Sequence, residues 1–283
     1  IVQSLVGSEM CIRDSHCEDQ KTVEKNEKLF DAKYGADVSA EHHHLIRNVD
    51  SCYLSSSLAV DLAKKYDADL HVFHLTTEKE MDLFTAGDID GKKITAEVCV
   101  HHMFFNESFY SKLGNQIKCN PSIKYESDRA ALIKALLENK IDIIATDHAP
   151  HTWDEKNRAY TEAPAGLPLV QHGMQILMDF YHQDVISLET IVEKTSHNVA
   201  KRFQIRDRGY IREGYYADIA ILDLEKNYIV SKDNILYKCG WSPFEGHDFN
   251  SSIFMTIVNG NIAFKDGMIS EDLPFGMQIE FNR

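Results

Sequence analysis

No stretch of this 283-residue chain is apolar over the ~20 residues that a membrane-spanning helix needs. A function inside a bilayer is therefore not expected. No two cysteines stand in a C-x-x-C pair. The six thiols (Cys11, Cys17, Cys52, Cys99, Cys119 and Cys239) are scattered, which in a chain this long reads as reduced cysteines of a cytoplasmic protein. No run of Lys and Arg is present, and the formal net charge is −14. Such a field repels a phosphate backbone, so nucleic acid is excluded as a partner. Repeats and low-complexity tracts are absent. Residues 1–15 lack an initiator methionine at position 1, and also the basic start and long apolar middle of a signal peptide. Their character differs from all that follows, and they are expected to be a foreign or erroneous join.

What is present is ample material for a core, since 43% of the residues are hydrophobic. A charged helical stretch runs from Glu18 or Asp19 to about Ala36, followed by a helix over Ser55–Tyr66 and a strand over Asp69–Leu75. A second strand lies within Lys93–Met103, and an amphipathic helix over Asp128–Asn139 leads into the apolar run Ile141–Ala145. Strands alternating with helices are the pattern of parallel α/β units. Helices are expected again over Leu169–His182 and Leu188–Phe203. From Gly209 the text turns to strands and turns, with Asn259-Gly260 as a hairpin signal. Three consecutive histidines, His42 to His44, cannot converge on one point from a helix and read as structural.

The chain is organised around Ile143–Lys156, which reads I-I-A-T-D-H-A-P-H-T-W-D-E-K. By period-two alternation Ile143, Ala145 and Asp147 share one face, which would put Asp147 at the carboxyl-terminal mouth of a barrel strand. Taken alone, D-H-A-P-H is ordinary strand-to-loop text. Here two other strand-like runs also end in histidine, at His74 and near His101, and His16 stands where a further strand should end. In Gln116–Lys124, Pro121 pushes the preceding Asn120 to extended geometry, so its amide can be presented to a ligand.

These residues resemble the dihydroorotases of the amidohydrolase superfamily. Their signature, [Gly/Ala]-[Ser/Thr]-Asp-x-Ala-Pro-His, then four residues and Lys, is filled by Ala145, Thr146, Asp147, Ala149, Pro150, His151 and Lys156. Hydantoinases and allantoinases are similar up to the aspartate but usually lack the Ala-Pro-His. H-C-E-D at His16 resembles the end of the family's fifth barrel strand, F-H-L-T at His74 the sixth, and E-V-C-V-H-H-M the seventh. K-C-N-P-S resembles the substrate loop, A-P-A-G-L the loop after strand eight, and Gly209–Asp223 the returning β segment. The resemblance runs from His16 to roughly Ile269.

It implies an α/β fold: strands five to eight of a (β/α)8 TIM-type barrel over 16–205, and a small C-terminal β domain over 206–283. It also implies one or two Zn²⁺ ions, with His16, His74 and Asp147 as metal ligands. Asp147 would double as the catalytic proton carrier, while Asn120, His151, Ala165 and Gly166 bind substrate. The implied reaction is the reversible cyclisation of N-carbamoyl-L-aspartate to L-dihydroorotate in pyrimidine synthesis. The implied partners are that small-molecule substrate and further copies of the chain in a homo-oligomer, with no nucleic acid and no membrane. Two alternatives remain: a non-catalytic partner of aspartate transcarbamoylase, and a hydantoinase- or allantoinase-type hydrolase.

The chain departs from the family in lacking its first-strand His-x-His-x-Arg and its fourth-strand bridging lysine. A barrel of this type has eight strands, and only four can be counted here. The chain is therefore expected to be a fragment that binds zinc poorly and does not turn over.

Overall fold

A computed structural model describes residues 13–272 and 275–282. The chain falls into two compact units, Ile1–Gln171 with Tyr237–Pro243 and His172–Leu236 with Phe244–Arg283. Of the leading stretch set apart above, residues 1–12 lie outside the described residues.

The first unit is built on a four-stranded parallel sheet, ordered β1 (Arg13–Ser15), β2 (Leu70–Val72), β3 (Ile94–Cys99) and β4 (Ile143–Ala145). The register pairs Arg13 with Leu70, Leu70 with Ile94 and Glu97 with Ile143. Alternation puts Leu70, Val72, Ala96, Val98 and Ile144 on one face, all buried. Burying each of the Leu, Val and Ile side chains contributes about 1.5–3 kcal/mol. The other face carries His71, Thr95 and Glu97. There His71 Nδ1 lies 2.8 Å from Thr95 Oγ1, and Nε2 lies 3.2 Å from a Glu97 carboxylate oxygen.

Helix α1 (Gln20–Tyr34) begins where Asp19 caps it, its carboxylate accepting from the Thr22 amide at 2.9 Å. Helix α2 (Val49–Tyr66) starts six residues before the expected Ser55, because Asn48 caps it by accepting from the Ser51 amide. The serines that looked like a start lie inside the helix, and Ser56 is buried and donates to Glu80. The expected strand through Met103 stops at Cys99, and Val100–Phe104 turns into a short helix, α3, so His101 lies on that helix and not at a strand end. Helix α4 (Glu126–Leu137) buries Leu132, Ala135 and Leu136 and delivers the chain to β4.

In the second unit, α5 (Gly173–His182) is followed by α6 (Leu188–Val192), a π-helical turn at Glu193–His197 and α7 (Asn198–Arg202). The Asp179 carboxylate on α5 accepts from His247 Nε2, the Asn250 amide and the Asn250 side chain, each at 3.0 Å. Strands β5 (Ile219–Asp223), β8 (Ser252–Val258), β9 (Asn261–Lys265) and β10 (Met268–Ile269) make an antiparallel sheet ordered β10-β9-β8-β5. Strands β6 (Tyr228–Ile229) and β7 (Asp248–Phe249) pair separately. The expected hairpin forms, with Val258 opposite Asn261 and both Asn259 and Gly260 at positive φ. Among the described residues no helix is long and apolar enough to cross a membrane.

Candidate active site

His16, His74 and Asp147 lie past the carboxyl ends of β1, β2 and β4, and two of them are aimed by a device that alternation does not supply. Strand β2 ends at Val72 and β4 at Ala145, so neither His74 nor Asp147 lies on a strand. Each sits two residues beyond with φ in the left-handed region, 35° for His74 and 47° for Asp147. Non-glycine residues rarely adopt this conformation, and where they do they re-aim a side chain.

His74 is buried, and its Nε2 lies 2.9 Å from Nδ1 of His16, which follows β1 directly. The rings meet edge-on, 78° apart, with Nδ1 of one facing Nε2 of the other. Burial, reinforced by His16, pulls the His74 pKa down to about 4. At neutral pH it is an uncharged imidazole, the form that ligates metals. Its Nδ1 is buried without a hydrogen-bond partner. An edge-on pair of imidazoles with an orphaned ring nitrogen fits a borderline divalent cation such as Zn²⁺.

Asp147 is exposed, and its pKa is raised by the protein mass around it and by the Glu97 carboxylate, with His16 opposing. These influences place Asp147 near both groups. It does not close with the histidines into a tight triad. Among the described residues the one group of three His, Cys, Asp or Glu whose ligand atoms lie within 4.8 Å of one another is Cys99, His101 and His102.

That group is fully buried, and both ring nitrogens of His101 lack partners. Its rings, however, are consecutive on one helical turn and packed against each other at 3.9 Å with a tilt of 42°. His102 Nε2 is also turned to the Pro121 carbonyl at 3.1 Å.

The substrate-side residues are placed by a carbonyl clamp. Lys156, the last residue of the signature, is buried and donates to the carbonyls of Lys118, Pro164 and Gly166 at 3.2, 2.9 and 3.0 Å. This ties the loop around Asn120 to the loop around Ala165. His151 Nε2 donates to the Ala165 carbonyl at 3.0 Å, and Trp241 donates to the His151 carbonyl at 2.8 Å. At Gly166, φ is +136° and a Cβ would come within 2.4 Å of the Ala149 carbonyl oxygen, so only glycine fits. A cavity of about 480 Å³ is lined by His43, Arg47, Lys118, Asn120, Tyr160 and Ala165, among others. Asn120 Oδ1 is buried there without a partner. His16, His74, Asp147, His151 and Gly166 are not in its lining. His43 is structural, accepting from the Tyr160 hydroxyl and donating to the Cys119 carbonyl.

The amidohydrolase family matches residues 23–263, which is most of the chain. The chain belongs to the amidohydrolase family. It is 31% identical over 251 residues to a dihydroorotase of Methanosphaera stadtmanae, covering 89% of this chain and 58% of that one. It is 32% identical over 255 residues to a dihydroorotase of Fusobacterium nucleatum, with the same coverage. The chain thus spans little more than half the length of these amidohydrolases. Among solved structures it is similar to an L-hydantoinase of Arthrobacter aurescens, with a TM-score of 0.88 at 20% identity over 99% of this chain and 62% of that one. A dihydropyrimidinase of Brevibacillus agri matches with a TM-score of 0.85 at 20% identity, over 95% of this chain and 60% of that one. At this identity the likeness shows the amidohydrolase fold.

Sequence reasoning missed two carboxylates. Glu18 lies against His16, and Glu97 lies on the sheet face leading to Asp147. A glutamate inside the otherwise apolar strand text around Glu97 was the available signal, because buried charges are rare unless partnered.

Proposed function

We propose that this chain carries part of the active site of a zinc-dependent cyclic amide hydrolase of the dihydroorotase type, interconverting N-carbamoyl-L-aspartate and L-dihydroorotate in pyrimidine synthesis in the cytoplasm. The observation that carries this reading is the edge-on pair His16 Nδ1 and His74 Nε2, 2.9 Å apart, past strand ends shared with the Asp147 loop. Its support is a family match whose curated relatives are dihydroorotases.

His16 and His74 would hold a Zn²⁺ ion, with Asp147 serving the same centre. Bound zinc lowers the pKa of a coordinated water toward ~7 and makes hydroxide available. Asp147, its basicity raised by desolvation and by Glu97, is suited to accept that proton and return it to the leaving amide nitrogen. Asn120 Oδ1, buried and unpartnered, can accept from a ring N–H. Ala165 and Gly166 would flank the other edge, their backbone fixed by His151, Lys118 and Lys156. The four parallel strands are assigned to strands five to eight of a (β/α)8 barrel. A leading stretch 1–15, a barrel portion 16–205 and a C-terminal β domain 206–283 belong to the same proposal. Two histidines and one aspartate are too few for a two-metal centre, so turnover by the 283-residue chain alone is expected to be negligible.

The test is zinc titration of the chain and of His74→Ala, followed by binding of dihydroorotate, hydantoin and allantoin to the zinc-loaded protein. Weak zinc binding that His74→Ala abolishes, with dihydroorotate preferred, is expected. Preference for hydantoin or allantoin would move the assignment to the hydantoinase type. Zinc binding indifferent to His74→Ala would overturn the site, and no stoichiometric zinc in the full-length gene product would favour the non-catalytic alternative.

A further inference from the structure

His16 makes a second contact, on its other ring nitrogen. Its Nε2 lies 3.3 Å from Oε2 of Glu18, whose side chain is 3% exposed. The same oxygen accepts from Arg47 Nη1 at 2.5 Å. The Arg47 guanidinium on that oxygen makes Glu18 one half of a charge-paired hydrogen bond. Glu18 is therefore an acceptor, and the proton between it and His16 belongs to Nε2 of the ring.

That assignment leaves Nδ1 bare. In the zinc-free chain the 2.9 Å contact with His74 needs one proton, carried by His74 Nε2, which must leave before that nitrogen could share an ion with His16 Nδ1. Arg47 is anchored in turn, because its own carbonyl accepts from the Ser122 hydroxyl at 2.8 Å, two residues past Asn120. Arg47 and Asn120 line the same cavity. One chain of contacts thus joins the loop bearing Asn120 to the ring of His16.

We propose that Glu18, clamped by Arg47, is the positioning residue that fixes the ring orientation and tautomer of His16, with the proton on Nε2 and the Nδ1 lone pair turned beside His74. This rests on the zinc reading above, because Nδ1 is the atom that reading assigns to the metal. A carboxylate behind a ligating imidazole fixes its tautomer and raises its basicity, and removing such a partner weakens metal binding about 10–100-fold. Without this contact His16, whose side chain is 47% exposed, would be free to turn into solvent.

The experiment compares the chain with Glu18→Gln, which keeps the shape and removes the charge, and with Arg47→Gln, which leaves Glu18 in place but unclamped. Imidazole ¹⁵N NMR on the zinc-free chains reads the His16 tautomer, and chelator competition reads the zinc dissociation constant. The parent chain is expected to hold His16 with its proton on Nε2. Glu18→Gln should mix the tautomers and weaken zinc about 10–100-fold, and Arg47→Gln should act in the same direction more weakly. An unchanged tautomer in Glu18→Gln overturns the proposal, as does unchanged zinc affinity. A tautomer shift in a chain that binds no zinc supports the positioning role and instead overturns the metal reading.

Discussion

Replacing Lys156 with methionine should loosen the loops that carry the substrate-side residues. The ammonium group is 2% exposed as part of its residue and donates to the carbonyls of Lys118, Pro164 and Gly166. Methionine fills nearly the same volume, so cavity formation contributes little. The loss is one of hydrogen bonds. Lys118 O keeps a second donor, the Gly166 amide at 2.8 Å, whereas the Pro164 and Gly166 carbonyls lose the lysine contact. An unsatisfied buried acceptor costs about 1–3 kcal/mol, giving ~2–6 kcal/mol for two. Relief from burying the ammonium, whose pKa burial pulls down to about 8, offsets part of this. A net loss of about 2–4 kcal/mol is expected. Urea denaturation followed by tryptophan fluorescence reads it locally. The chain has two tryptophans, and Trp153 and Trp241 stand 6.0 Å apart beside His151. A midpoint shift equivalent to less than ~0.5 kcal/mol, the scale of an ordinary surface substitution, would show that the clamp carries no stability.

Asp147→Asn should leave stability at pH 7 equal or higher. A carboxyl whose folded pKa is raised contributes stability below its unfolded pKa and loses it as pH rises through the folded value; a denaturation midpoint clearly below the parent's at pH 7 would refute this. His74, at about 4 when folded against ~6.5 unfolded, binds more protons unfolded. Stability should therefore fall as pH drops from ~6.5 toward 4, by up to about 3 kcal/mol, and His74→Ala should flatten that part of the profile. Gly166→Ala forces a Cβ to within 2.4 Å of the Ala149 carbonyl oxygen at a φ of +136°. A loss of about 1–3 kcal/mol or more is expected from strain alone, and equal thermal midpoints for parent and variant would contradict the close approach.

The alternation of strands and helices was legible because buried parallel strands and amphipathic helices leave strong periodic text. Where the strands end was less so. The run from Thr95 to Met103, T-A-E-V-C-V-H-H-M, carries apolar and β-branched residues on both sides of Cys99, yet the chain turns helical at Val100, because a short run of this kind does not by itself separate strand from buried helix. Asn48, and not the serine cluster, starts α2, since any of several polar residues could cap it and only the fold selects one. Period-two reasoning, followed through the register, would send His74 and Asp147 to opposite faces of the sheet. Both lie past the last paired residue, where a left-handed backbone does the aiming. Glu18 went unread because its role depends on Arg47, 29 residues away, and no local pattern reports such a pairing.

The signature itself separates into physical parts. Its aspartate must follow the strand closely enough to be thrown onto the site face by one left-handed residue, as φ of 47° at Asp147 does. The alanine at 149 must be small because Gly166 packs on it, and a Cβ at 166 would lie 2.8 Å from that of Ala149. The histidine at 151 holds the Ala165 carbonyl, and its own carbonyl is held by Trp241. Thr152 caps the following turn, with its hydroxyl accepting from the Glu155 amide, and that turn delivers Lys156 into the carbonyl clamp. The fixed spacing from His151 to Lys156 is thus the length of one capped helical turn. The pattern joins one residue suited to proton transfer to a set of residues that hold two loops at a fixed separation, and its lysine acts on backbone carbonyls rather than on substrate.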